Sequence, residues 1–277
     1  MKDLLDKLIL DNPMSIEIIR FRRRFMTFSG PNAVNTAVAL LVFALYAGLN
    51  LLVVSYATDV NPIIILFLQL FLFCIFAPSL LHGAVAGERE RRSWDLLLVA
   101  PVTKAQIVVG KFLGAAAALA GFSVAMLLPL MIAALSYSRT DLLNVIIAEL
   151  MTQAFALMLC AFTLFISARV KRPFMAMGIV VACLALGLLI LPGMAAVIVG
   201  GDQLTADLLF YFNPFYAIGK MESNGFSGSL GISSVFYGIP HILVYLFMTG
   251  VFLAWAINTL TFAENDVRFI PKSAKDA

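Results

Sequence analysis

Charge is what this chain has least of. Asp, Glu, Lys and Arg make up 13% of its 277 residues, about half the share of a soluble domain. Hydrophobic residues make up 62% and the mean hydropathy is +0.98, which excludes an ordinary water-soluble globule. Histidine is nearly missing. His82 and His241 stand alone, without the His-Glu-x-x-His spacing of a zinc hydrolase, and Glu88-Arg89-Glu90 is not the adjacent pair that a glutamate-type intramembrane protease needs. The three cysteines, Cys74, Cys160 and Cys183, lie in apolar runs with no paired spacing. They read as small packing residues, so neither a disulfide framework nor a metal site is expected. No Gly-x-x-x-x-Gly-Lys-Ser/Thr occurs, because Gly110-Lys111 has Ala105 five positions before Gly110 and is followed by Phe112. Without that loop the chain has no phosphate cradle and cannot consume ATP alone. A net charge of +3 gives no ground for a nucleic-acid partner.

Long apolar runs of the length of a membrane helix take the place of what is absent, whereas a barrel would alternate every second residue. The fold class is therefore an all-α integral membrane protein with six transmembrane helices, at about 33–56, 62–82, 111–135, 144–167, 174–199 and 237–262. All but two of the 19 Lys and Arg, Arg139 and Lys220, fall on one side of that layout. By the positive-inside rule both termini and the segment 87–111 face the cytoplasm, as in a multi-pass protein of a bacterial inner membrane.

Residues 1–32 read as cytosolic amphipathic interface helices rather than a cleavable signal. The first carries Leu4, Leu5, Leu8 and Ile9. The second sets Met14, Ile18, Phe21, Phe25 and Phe28 on one side and meets lipid headgroups with Arg20, Arg22, Arg23 and Arg24. The whole of 33–262 is one transmembrane domain. Within the third span, Gly110, Gly114, Ala118, Gly121 and Ala125 form a small-residue stripe that predicts close helix packing. Pro78, Pro129 and Pro192 each remove a backbone hydrogen bond and invite a bend. Asn50, Gln69, Asn144, Gln153 and Asn258 read as interhelical hydrogen-bond partners, and Glu149 is the one carboxylate well inside a span. The outer segment 200–235, aromatic and broken at Asn213-Pro214, predicts re-entrant helices before the sixth span. The tail 263–277 is cytosolic and polar.

Gly87 to Lys111 is the long charged segment between the greasy runs. Glu88, Arg89, Glu90, Arg91 and Arg92 require water. Trp94, Leu97 and Leu98 share one helical face, Pro101 ends that helix, and Thr103-Lys-Ala-Gln106 has the form of a capping box that starts the next. This segment resembles the signature region of the type-2 ATP-binding-cassette (ABC) export permeases. Glu88 and Glu90 match its acidic pair, and Ser93, Trp94 and Asp95 stand where Thr, Leu and Glu are usual. Leu97, Leu98, Pro101, Gly110 and Lys111 match in identity and spacing, while Arg92 replaces the usual Gly.

The resemblance implies the membrane-spanning permease subunit of an ATP-driven exporter, not itself an enzyme, with a cytosolic coupling helix between spans 2 and 3. No cofactor is expected on this chain, ATP and Mg being held by separate cytosolic ABC ATPase subunits. The expected partners are those ATPases, a second permease protomer in a homo- or heterodimer, and the lipid bilayer. Glu88, Glu90, Arg91, Arg92, Asp95 and Lys111 would make polar contacts at the joint, and Trp94, Leu97 and Leu98 would seat in the ATPase groove. On ATP binding the ATPases would draw that helix along, and the first, second and fifth spans would part on the outer side. A greasy interior suits an amphipathic or lipid-like cargo. The alternative is a non-transporting membrane scaffold or assembly factor docking a cytosolic partner through the same segment. A Ser93→Cys variant in intact cells is expected to resist an impermeant thiol reagent until the membrane is permeabilised; labelling before that point places the segment outside.

Overall fold

In a computed structural model the described residues are 33–56, 58–90, 102–137, 142–199, 210, 212–221 and 232–266. All elements among them are helical. They run α1 Ala33–Ser55, α2 Pro62–Leu81, α3 Ala86–Glu90, α4 Lys104–Ser136, α5 Leu142–Arg169 and α6 Pro173–Ala185. A π-helical turn, Leu186–Ile190, joins α6 to α7 Leu191–Val199, and α8 Pro214–Met221 and α9 Ile232–Asp266 complete the order. The predicted interface helices of 1–32, with Arg20, Arg22, Arg23 and Arg24, lie outside the described residues, as does the tail beyond Asp266.

Among the described residues five helices are long and apolar enough to cross a membrane: Pro62–Glu90, Lys104–Ser136, Leu142–Arg169, Pro173–Met194 and Gly238–Leu260. The expected first span coincides with α1, but the apolar run recognised within it is Phe43–Ser55. That run is shorter than the roughly 20 residues a hydrocarbon core demands, so five of the six expected spans are found among the described residues. The other boundaries follow local chemistry. Asn61 caps α2, its side chain accepting from the Ile63 amide, and Pro62 takes the first-turn position where its missing N–H costs nothing. Thr103 and Gln106 form a capping box, so α4 starts at Lys104, seven residues before the apolar stretch expected to cross. At its other limit α9 continues to Asp266, past the boundary at 262.

The core centres on α5, which packs against α9, α2 and α4. Of its most apolar stretch 61% is buried, against 11% for the α6 region, so α5 is the axis of the bundle and α6 lies at its edge. Its seam with α9 is aromatic. Phe155 meets Tyr245 at 5.5 Å between ring centroids, Phe162 meets Phe252 at 5.2 Å, and Phe165 meets Trp255 at 5.6 Å. The same steps of seven and three residues recur on both helices, which therefore run parallel with matched turns. Each such contact contributes about 0.5–1.5 kcal/mol beyond the area it buries.

Backbone closeness occurs where α9 crosses α5, and the predicted stripe on α4 contributes less of it. A Cβ added at Gly114 or Gly121 would meet nothing within 4 Å. Gly110 and Gly114 are buried, Ala118 is half-buried, and Gly121 and Ala125 are exposed. At Gly238, by contrast, a Cβ would collide with the Ile147 side chain and come within 3.2 Å of Met221. Gly238→Val is expected to cost about 1–3 kcal/mol by overpacking, read as a lower thermal midpoint of the purified protein, whereas Gly114→Ala should leave that midpoint unchanged.

Candidate functional site

The best-built polar arrangement lies at one end of the bundle, where Glu88, Arg89, Lys111 and Arg169 gather. It begins with a broken helix. After Leu81, α2 passes through a turn over His82 to Val85 and resumes as α3. In an unbroken helix the Ala86 amide would donate to the His82 carbonyl. Here the Ser167 hydroxyl stands between them: it accepts from the Val85 and Ala86 amides at 3.1 and 3.2 Å and donates to the His82 carbonyl at 2.8 Å. One side chain from α5 thus supplies what the break removes, and Ser167 is fully buried.

Two charged contacts tighten the same place. Lys111 Nζ donates to Glu88 Oε1 at 2.7 Å, with only 5% of the lysine side chain exposed. Arg89 donates to the Ala168 carbonyl at 2.6 Å, one of the last carbonyls of α5, which a helix leaves without an internal partner. The Pro173 ring at the start of α6 rests over Gly83 and Gly87, 3.8 and 3.7 Å from where a Cβ would stand. Arg169 lies over the Phe165 ring at 5.0 Å. The two flanks of 91–101 are therefore bonded to each other through Glu88 and Lys111, and the first of them to α5 through Ser167 and Ala168.

Of the residues expected at the joint, Glu88 and Lys111 come together and Glu90 is exposed nearby. Arg91, Arg92, Trp94, Asp95, Leu97, Leu98 and Pro101 lie outside the described residues. Arg89, Ser167 and Pro173 escaped the sequence reading. Arg89 sits inside the charged run, yet nothing local marks which arginine turns back to the bundle; Ser167 looks like any small polar residue near a span end.

A second polar group lies within the bundle. Gln69 Nε2 donates to Glu149 Oε1 at 2.8 Å and to Ser123 Oγ at 3.1 Å, and Ser123 Oγ donates to Gln153 Oε1 at 2.6 Å. Gln69 and Glu149 each lie seven residues inside their helices, about 10 Å from the end opposite Lys111. This network joins α2, α4 and α5. Asn50 departs from the expected interhelical role: its Nδ2 donates to Tyr46 O, four residues back in its own helix. The bond between α1 and α4 comes instead from Tyr46, whose hydroxyl donates to the Ala125 carbonyl at 2.9 Å.

At that opposite end Asn213 does two tasks. Its Oδ1 accepts from the Phe215 and Tyr216 amides and caps α8, while its Nδ2 donates to the Leu188 carbonyl at 3.3 Å. Pro192, four residues after Leu188, has no N–H to give that carbonyl, and the π-helical turn lies directly before it. α8 buries Pro214, Ala217, Ile218 and Met221, one face at helical spacing, with Phe215 against Phe67 of α2 at 5.9 Å. It is a short helix within 200–235. Groups of three or more His, Cys, Asp or Glu able to hold a metal do not occur among the described residues.

Removing one partner of the Lys111–Glu88 pair leaves the other partly buried charge without it. Lys111→Met is expected to cost about 2 kcal/mol, the worth of a hydrogen bond to a charged group, and Glu88→Gln/Lys111→Met should regain at least half. A double-mutant cycle on thermal midpoints checks this; strict additivity would show that the pair is not coupled.

A family model described as ABC-2 family transporter protein matches residues 24–269. No curated protein matches the chain. The match extends from before α1 to beyond α9 and takes in the whole helical bundle together with its charged junction, so the chain belongs to the ABC-2 family of transporter proteins, as a multi-pass membrane component that in this family works with a separate cytosolic ABC ATPase.

Proposed function

We propose that this chain is the permease half of an ATP-driven exporter and that 87–111 is the lever through which a cytosolic ATPase moves it. The junction at the root of that segment carries the reading. A lever transmits force only if its root is stiff, and here both flanks are bonded: Glu88 to Lys111, the α2–α3 break to Ser167, and Arg89 to Ala168. A pull on 91–101 would act on α2, α4 and the central α5 together. The basic surroundings of this end support a cytoplasmic placement by the positive-inside rule. We take α1 as the sixth crossing, because its 23 residues rise about 34 Å. In this arrangement both termini are cytoplasmic, two protomers form the pathway, and an amphipathic cargo leaves outward as the spans part.

Trp94, Leu97 and Leu98 are assigned to the ATPase groove, since a desolvated aromatic anchor in a joint contributes a few kcal/mol. Glu90, Arg91, Arg92 and Asp95 surround them as polar contacts, with Pro101 ending the helix. Pull-down of the cytosolic ATPase is the test. Trp94→Ala and Leu98→Ala are each expected to lower recovered ATPase about tenfold, equivalent to about 1.4 kcal/mol, and to lower permease-stimulated ATP turnover. Equal recovery with undiminished turnover removes these residues from the joint. Retained recovery and turnover with no movement of any cargo would instead favour a scaffold.

A further inference from the structure

A cavity of about 840 Å³ opens between α5, the α6–α7 region and α9, at the edge of the bundle away from the charged junction. That volume is within the roughly 300–1,000 Å³ of ligand sites. Its wall is apolar, with Phe155, Phe162, Leu188 and Phe252 among its residues, and its polar groups gather towards one end at Asn213 and Tyr245. Leu191, Met194 and Phe212 at that end are each more than half exposed, so the cavity opens sideways to the hydrocarbon. Along the α6–α7 wall it runs from Cys183 to Met194, eleven residues or about 16 Å. That is half of a bilayer core of roughly 30 Å, which makes the cavity one leaflet deep.

We propose that this cavity binds a single acyl chain of a membrane lipid from the leaflet at the Asn213 end, with the chain against Phe155, Phe162 and Phe252 and the polar head beside Asn213. Water is a poor occupant of an apolar space. One hydrocarbon chain suits the apolar wall and the depth, and it would fill the gap that the poorly buried α6 region leaves beside α5 and α9. The π-helical turn and Pro192 shape that wall, and Asn213 fixes it by holding the Leu188 carbonyl. The site lies apart from 87–111 and does not depend on the coupling reading.

The test uses the full chain alone, in nanodiscs of phosphatidylethanolamine and phosphatidylglycerol doped with a phosphatidylcholine carrying a diazirine in one acyl chain. Photolabelling of 155–162 and 183–194 is expected to exceed that of the exposed α4 face at Leu128 and Leu135 by about tenfold, the worth of one net hydrogen bond at the polar end. A Cβ at Gly187 would meet nothing within 4 Å, so Gly187→Phe should fill the space without a backbone clash and abolish the excess, with Gly187→Leu as a milder second variant. Equal labelling of all exposed faces, or an excess that survives Gly187→Phe, overturns the proposal. So does an efficient disulfide between the Cys183 residues of two chains on mild oxidation, which would put a second copy at the cavity. No ATPase is present, so failure here leaves the coupling reading standing.

Discussion

A backbone that breaks in or beside hydrocarbon must have its lost hydrogen bonds returned, because no water is there to take them. Among the described residues this happens at both ends of the bundle, and the structure is arranged around those repairs. At the charged end the interruption between α2 and α3 is bridged by the Ser167 hydroxyl, which serves three backbone groups at once. At the other end Pro192 withholds an N–H and Asn213 donates to the Leu188 carbonyl in its place. In each case the repairing side chain comes from a different element. A local defect in one helix thereby becomes a tertiary bond to another.

That arrangement explains why stiffness and looseness are distributed as they are. α5 contributes Ser167, the Ala168 carbonyl, Glu149, Gln153 and the aromatic seam to α9, and it is the most buried of the helices. The α6–α7 region, whose wall is softened by a π-helical turn, is the least buried of the five long spans. A π turn widens the helix and leaves carbonyls for outside donors. In the proposed exporter the rigid side receives the push at 87–111 and the loosely packed side has freedom to move. The Gln69–Ser123–Glu149–Gln153 network joins α2, α4 and α5 towards the end opposite 87–111. Polar bonds of this kind hold helices together in lipid with on average about 0.6 kcal/mol each, enough to set a register yet weak enough to exchange.

Much of this was legible from the residues. The positions of Pro62, Thr103 and Gln106 name two helix starts, because caps act within a few residues of themselves. Apolar length located the spans, and the asymmetry of Lys and Arg set apart the end where Glu88 and Lys111 meet. The charged, signature-like run from Glu88 to Lys111 led to the family. Asn213-Pro214 read as a break in the outer segment, and in the structure Asn213 caps α8 there.

What the chain could not disclose by itself is every relation that depends on which helices become neighbours. α4 and α5 are both long and apolar enough to cross a membrane, so nothing in length says that α5 is central or that its aromatic residues meet those of α9 turn after turn. Small residues on α4 suggested close packing, yet the intimate crossing is at Gly238 against Ile147, since clearance is a property of two surfaces and one helix carries only one of them. Ser167 and Arg89 could not be singled out because their partners lie some 80 residues away. Local sequence determined where helices begin, how far they run and which end carries charge; three-dimensional packing alone decided which side chain returns a broken backbone its hydrogen bonds.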